Sequence, residues 1–172
     1  MHNKVVFRAA KAALRVGMPT LRFNFRGVGK SAGSFASGDG EQDDVRAALD
    51  YLQVRYPGLP VCLMGFSFGA WVGLTVGATD SRVAALVGLG VPVATQDFSF
   101  LRGITKPKLF VQGTLDVFGP PDKLRALFDS LAEPKRLHLV PDVDHFFAGK
   151  LEELQGAVGE FLEEVLAAHS RP

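Results

Sequence analysis

Three short stretches carry residue types that can act together on an electrophilic carbonyl: Gly65-Phe66-Ser67-Phe68-Gly69, Gly113-Thr114-Leu115-Asp116 and Asp142-Val143-Asp144-His145. A serine hydroxyl is a poor nucleophile at neutral pH. It needs a histidine to take its proton and a carboxylate to fix that histidine's tautomer and orientation. The G-x-S-x-G pattern alone is weak, but Ser67 directly follows the apolar run VCLM and precedes a helix-like segment. A tight strand-to-helix turn there strains the serine backbone and lifts Oγ into the open, and small neighbours such as Gly65 and Gly69 are what the turn needs sterically. Asp116 follows KLFVQG and His145 follows LHLVP, so the chain order is serine, aspartate, histidine. Asp142 and Asp144 compete with Asp116 as the orienting acid. Asp116 is favoured because acid and base ordinarily come from different strand ends.

Elements that could carry these stretches alternate along the chain. Val6, Ala9, Ala10, Ala13 and Leu14 recur at helical spacing, with Asn3 able to cap the start and Gly17 the stop. TLRFNF alternates Leu21, Phe23 and Phe25 with polar residues, the pattern of a half-buried strand, and a Gly- and Ser-rich loop follows to about Gly40. A helix with Val45, Ala48, Leu49 and Leu52 on one face is broken by YPGLP. VCLM shows no alternation, as expected of a central parallel strand covered on both faces. In the helix after it, Gly69, Gly73 and Gly77 would let the backbone press close on the sheet. VAALVGLG, KLFVQG and LHLV read as further strands, with helices marked by Leu124, Leu127, Phe128 and Leu131 and by Leu151, Leu154, Val158, Phe161, Leu162 and Val165. This order predicts a single-domain, three-layer α/β sandwich over 1–172 with a mainly parallel sheet and no lid domain. In such folds ligands gather at the carboxyl ends of the strands, where the three stretches fall.

Composition removes several other classes. At 172 residues with 47% apolar and 22% charged residues, the chain suits one globular domain. With 19 basic against 18 acidic residues there is no field to draw in nucleic acid or an anionic membrane. No apolar stretch approaches the roughly 20 residues needed to span a bilayer. The single cysteine, Cys62, lies in an apolar run and reads as a buried, inert thiol; a reducing, cytoplasmic setting is expected. His138 lies in a strand pattern, His169 and His2 near the ends, and no His/Cys/carboxylate spacing resembles a metal site, so neither metal nor cofactor is expected. Phe98, Phe100 and Phe146 could wall an apolar acyl pocket.

NFRGVGKS, residues 24–31, looks at first like the back half of a phosphate-binding loop. That loop requires glycine where Asn24 stands and a helix beginning at its lysine, whereas SAGSFASGDG follows Lys30 and cannot start one there.

With Ser67, Asp116 and His145 in this order behind a nucleophile elbow, the sequence resembles the α/β-hydrolase superfamily over essentially its whole length. It looks most like a bacterial group of small lidless hydrolases related to the dienelactone-hydrolase branch, through MHNKVVFRAAKAALRVG, LRFNFRGVGKS, GFSFGA and HFF. The resemblance implies a Ser67-His145-Asp116 triad working through an acyl-enzyme, with the Phe68 N–H as one oxyanion donor. RGVGKS then matches a loop that leaves the family's fourth strand.

The family's second oxyanion donor comes from a loop after its third strand, and that upstream segment has no counterpart in these residues. The resemblance therefore implies either a gap or a re-paired sheet between TLRFNF and VCLM, and impaired turnover by this chain. Only VPVATQDFSFLRGITKP separates VAALVGLG from KLFVQG, too short for a helical lid, which points to an open site for small or short-acyl esters. A non-catalytic binding or interaction module of the same fold is the rival expectation. An exposed sheet edge makes a homodimer a further one.

Overall fold

In the computed structural model, which describes residues 3–169, helices flank a four-stranded parallel sheet. The elements run α1 (Lys4–Arg15), α2 (Asp39–Arg55), β1 (Val61–Phe66), α3 (Phe68–Thr79), β2 (Val83–Leu89), β3 (Lys108–Gly113), α4 (Pro121–Asp129), β4 (Lys135–Val140) and α5 (Leu151–His169), with one 3₁₀ turn at Ser99–Leu101. Strand order is β1-β2-β3-β4 and all three pairings are parallel. The three-layer α/β sandwich expected from the sequence is the fold.

Side-chain alternation along the strands divides the core between the two faces of the sheet. Ala85, Val87 and Leu89 of β2 and Leu109 and Val111 of β3 pack with Val5, Ala9, Ala12 and Ala13 of α1 and Leu154, Val158, Phe161 and Leu162 of α5. Leu86 and Phe110 face the other way, against Val45 and Leu49 of α2, Val72, Leu74 and Val76 of α3, and Leu124 of α4. Asn3 caps α1 as expected, its side-chain oxygen accepting from the N–H groups of Val5 and Val6 at 2.9 and 3.1 Å. The face of α1 is rotated from the one read in the sequence: Val5, Ala9, Ala12 and Ala13 are buried, while Leu14 is exposed.

Two strand expectations are corrected. TLRFNF forms no strand: residues 20–25 make no ladder with β1, so the sheet does not re-pair across this gap. Alternation prepares a segment for a sheet, but a strand exists only where a neighbour supplies the hydrogen bonds. Phe25 instead packs edge-on to Phe68, with Phe23 edge-on to Phe25. Consequently β1 is an edge strand among the described residues, and its residues are half-buried rather than covered on both faces. The central strands are β2 and β3, buried almost throughout.

α2 begins at Asp39, just inside the segment assigned to the loop. Glu41 is drawn in and buried, its carboxylate accepting from Ala36 N–H at 2.9 Å and Gly38 N–H at 2.8 Å. Gly73 and Gly77 do allow close packing of α3: a Cβ at either would lie 2.7 Å from Leu63 or Leu86 of the sheet. Gly69 does not face the sheet; its nearest neighbour is the Phe25 ring.

Candidate active site

Strand β1 ends at Phe66, and the chain turns within one residue into α3. Ser67 makes that turn at φ 55°, ψ −124°, a sparsely populated conformation for a residue with a Cβ. The turn closes so tightly that a Cβ on Gly65 would strike the backbone of Gly69 and lie 2.6 Å from Ala70 Cα. Ser67 N–H is anchored to Leu89 O of the adjacent strand at 2.9 Å, which fixes where the hydroxyl points. Phe68, the first residue of α3, has an amide that no carbonyl of its own helix can accept, so that donor lies one residue from the hydroxyl.

The other two stretches arrive from neighbouring strand ends. His145 is buried (6% exposed) after β4, and Asp116 is buried (2%) after β3. His145 Nε2 lies 2.8 Å from Ser67 Oγ, and His145 Nδ1 lies 2.7 Å from Asp116 Oδ2. Asp116 Oδ1 accepts from the N–H groups of Phe118 at 2.9 Å and Gly119 at 3.2 Å. A carboxylate surrounded by donors can only accept, so Nδ1 of the neutral imidazole donates to it and the Nε2 lone pair faces the serine. That is the arrangement a general base needs.

The rival acids are elsewhere. Asp144 Oδ1 accepts from Phe146 N–H at 3.0 Å in its own loop, and Asp142 is exposed on a positive-φ turn. The aspartate that reaches the histidine is Asp116, 29 residues earlier in the chain and at the end of the adjacent strand. Gly113 makes the crossing possible: a Cβ there would come within 2.6 Å of Asp144 O as the histidine loop passes over the end of β3.

Aromatic rings frame the histidine. Phe66 and Phe118 lie on it with centroids 4.8 Å away, and Phe146 meets it edge-on at 5.3 Å. Of the phenylalanines read as pocket walls, only Phe146 borders the site. Phe98 is buried in the core, and Phe100 packs with it at 5.9 Å. Phe118 was not singled out in the sequence; its signal is its place two residues after Asp116 in a strand-end loop. On the far side of Ser67, exposed Phe35 lies against Phe68 at 5.6 Å.

The remaining candidates have structural roles. Lys30 does not open a helix, since α2 starts nine residues later, and Ser31 Oγ donates to Asn24 O at 3.0 Å, so NFRGVGKS is no phosphate cradle. Its Arg26 ties the loop to α2, Nη2 and the backbone N–H each donating to Asp44 at 2.8 Å. Burial pushes the Cys62 thiol up to about 12, which leaves it protonated and unreactive at neutral pH. His138 Nε2 pairs with Glu153 at 3.3 Å and His169 Nδ1 with Val165 O at 2.8 Å, while His2 lies outside the described residues. No helix among the described residues is long and apolar enough to cross a membrane.

Residues 1–168 match the family model described as "Alpha/beta hydrolase domain". The chain belongs to the alpha/beta hydrolase family. Among solved alpha/beta hydrolases, an alpha-beta serine hydrolase homologue from Coxiella burnetii is 37% identical with a TM-score of 0.88, the match covering 94% of this chain and 77% of that one. A lidless α/β serine hydrolase from Xanthomonas campestris is 39% identical with a TM-score of 0.87, covering 95% of this chain and 74% of that one. An uncharacterized protein of Rickettsia prowazekii (strain Madrid E) is 36% identical over 171 residues, covering 94% of this chain and 72% of that protein.

Proposed function

We propose that this alpha/beta hydrolase cleaves small or short-acyl carboxylic esters through a covalent acyl-enzyme, with Ser67, His145 and Asp116 as its catalytic triad. The observation that carries the reading is the unbroken relay from Ser67 Oγ through His145 to Asp116, at 2.8 and 2.7 Å. Ser67 Oγ attacks the ester carbonyl while its proton passes to His145 Nε2. Asp116 balances the imidazolium that forms, and the Phe68 N–H faces the developing oxyanion. Collapse of the tetrahedral species expels the alcohol, which takes the proton from Nε2. Water, deprotonated by the same nitrogen, then releases the acid and restores the serine.

An open, aromatic-rimmed site supports a small substrate. Phe66, Phe118 and Phe146 flank the histidine and Phe35 and Phe68 the other side, apolar surfaces on which an acyl or alkoxy group can rest. No cofactor enters this chemistry. The test is covalent labelling by a fluorophosphonate together with p-nitrophenyl acetate hydrolysis, each compared with Ser67→Ala. Labelling and turnover are expected in the wild type and neither in the variant. A wild type that is neither labelled nor active would favour a non-catalytic binding module.

A further inference from the structure

Gln112 is the penultimate residue of β3 and is fully buried, directly after the apolar run Leu109, Phe110 and Val111. A buried side-chain amide is costly unless its donors and acceptor are used. Here they are. Oε1 accepts from Val91 N–H at 2.7 Å, and Nε2 donates to Asp116 Oδ2 at 2.7 Å and to Gly119 O at 2.9 Å. The orientation of the amide is fixed by chemistry: the Val91 N–H can only donate, and the carboxylate and the Gly119 carbonyl can only accept.

Asp116 Oδ2 therefore stands between two donors, Gln112 Nε2 and His145 Nδ1, each at 2.7 Å. Oδ1 is held separately by the Phe118 and Gly119 amides. With Gln112 in place, the carboxylate cannot turn about its own bond without giving up a hydrogen bond. The same amide grips the strand-end loop after β2 through Val91, next to Gly90, where a Cβ would lie 3.2 Å from the His145 ring. It also grips the loop of Asp116 through Gly119, where a Cβ would collide with both Gln112 Nε2 and Val91 O. One side chain thus ties the acid to the backbone that backs the base.

We propose that Gln112 is a positioning residue for hydrolysis: by donating to Asp116 Oδ2 and accepting from Val91, it aims the aspartate at His145 Nδ1. The proposal rests on the triad reading above, and it touches no substrate, so its effect falls on turnover and not on binding.

The test begins with the wild type, whose fluorophosphonate labelling and p-nitrophenyl acetate turnover must be present; their absence overturns the triad reading and this proposal with it. Gln112→Met keeps the length and removes every hydrogen bond. Its kcat is expected to fall about 10- to 100-fold with KM within about twofold, the size of loss seen when groups supporting an active-site ligand are removed. A folded Gln112→Met variant of an active wild type that keeps its kcat within about twofold overturns the Gln112 role alone.

A second measurement needs no variant. In ¹⁵N-labelled wild type, modification of Ser67 by the fluorophosphonate removes the hydroxyl facing His145 Nε2 and changes the charge that Asp116 must balance. The Gln112 side-chain amide resonances are expected to shift on modification; resonances that stay fixed show that Gln112 is not coupled to the acid and overturn the proposal.

Discussion

Ser67 and Gly90 show how single residues make the site. The serine is held at positive φ because the turn from β1 into α3 leaves no alternative, and that strain is what presents Oγ to solvent and to His145. Gly90 does the complementary job. It adopts φ 53° at the end of β2, and a Cβ there would lie 2.9 Å from Phe66 Cε2 and 3.2 Å from His145 Cε1 and Nδ1. Gly90→Ala is therefore expected to displace the imidazole from Ser67, lowering kcat/KM for p-nitrophenyl acetate by up to about 100-fold, the scale of effect an ångström of misplacement produces. Steady-state kinetics on the folded variant checks it, and unchanged kcat/KM would show that the ring tolerates the methyl group. The sequence carried a hint of this glycine in VAALVGLG, but not the ring it faces, since residues 90 and 145 meet only through the sheet.

At the scale of elements, the loop from Arg26 to Gly38 is fastened to α2 by charge. The side-chain hydrogen bonds from Arg26, opposed by burial and helped by the Arg26 backbone N–H, hold the Asp44 carboxyl below the usual carboxylate range. A depressed folded-state value means the contribution is fully present above the unfolded value, near pH 4, and is lost as pH falls through the lowered one. Asp44→Asn is expected to cost about 1 kcal/mol near pH 7, as befits a partly exposed pair. The difference from wild type should shrink as pH falls below about 4, read from urea midpoints at each pH. A constant difference across that range would mean the charge contributes nothing. The sequence already argued against a phosphate loop in GVGKS; what it did not show is that Arg26 pairs with Asp44 of the next helix.

At the scale of the molecule, the outer side of β1 is the conspicuous feature. Its six residues pair with β2 on one side, and no strand among the described residues pairs on the other. Leu21 and Phe23 of TLRFNF and Phe7 of α1 are exposed. A strand edge with free N–H and C=O groups is a template for pairing with another chain. Self-association that grows with concentration is the expected result in sedimentation velocity, and a monomer at high concentration would count against edge pairing.

The sequence by itself determined the alternation of strands and helices, the glycine-flanked serine turn, and the order Ser67, Asp116, His145, because each of these is a local statement about which side chains leave water and which turns need a small residue. Only the tertiary structure decided which edge TLRFNF failed to join, that Asp116 and not Asp142 or Asp144 reaches the histidine, and that Gln112 stands behind it. Those outcomes depend on groups distant in the chain meeting at hydrogen-bond distance, 29 residues apart for Asp116 and His145 and 21 for Val91 and Gln112. Periodicity cannot encode such meetings; the register of four parallel strands does, by bringing their carboxyl ends to one rim.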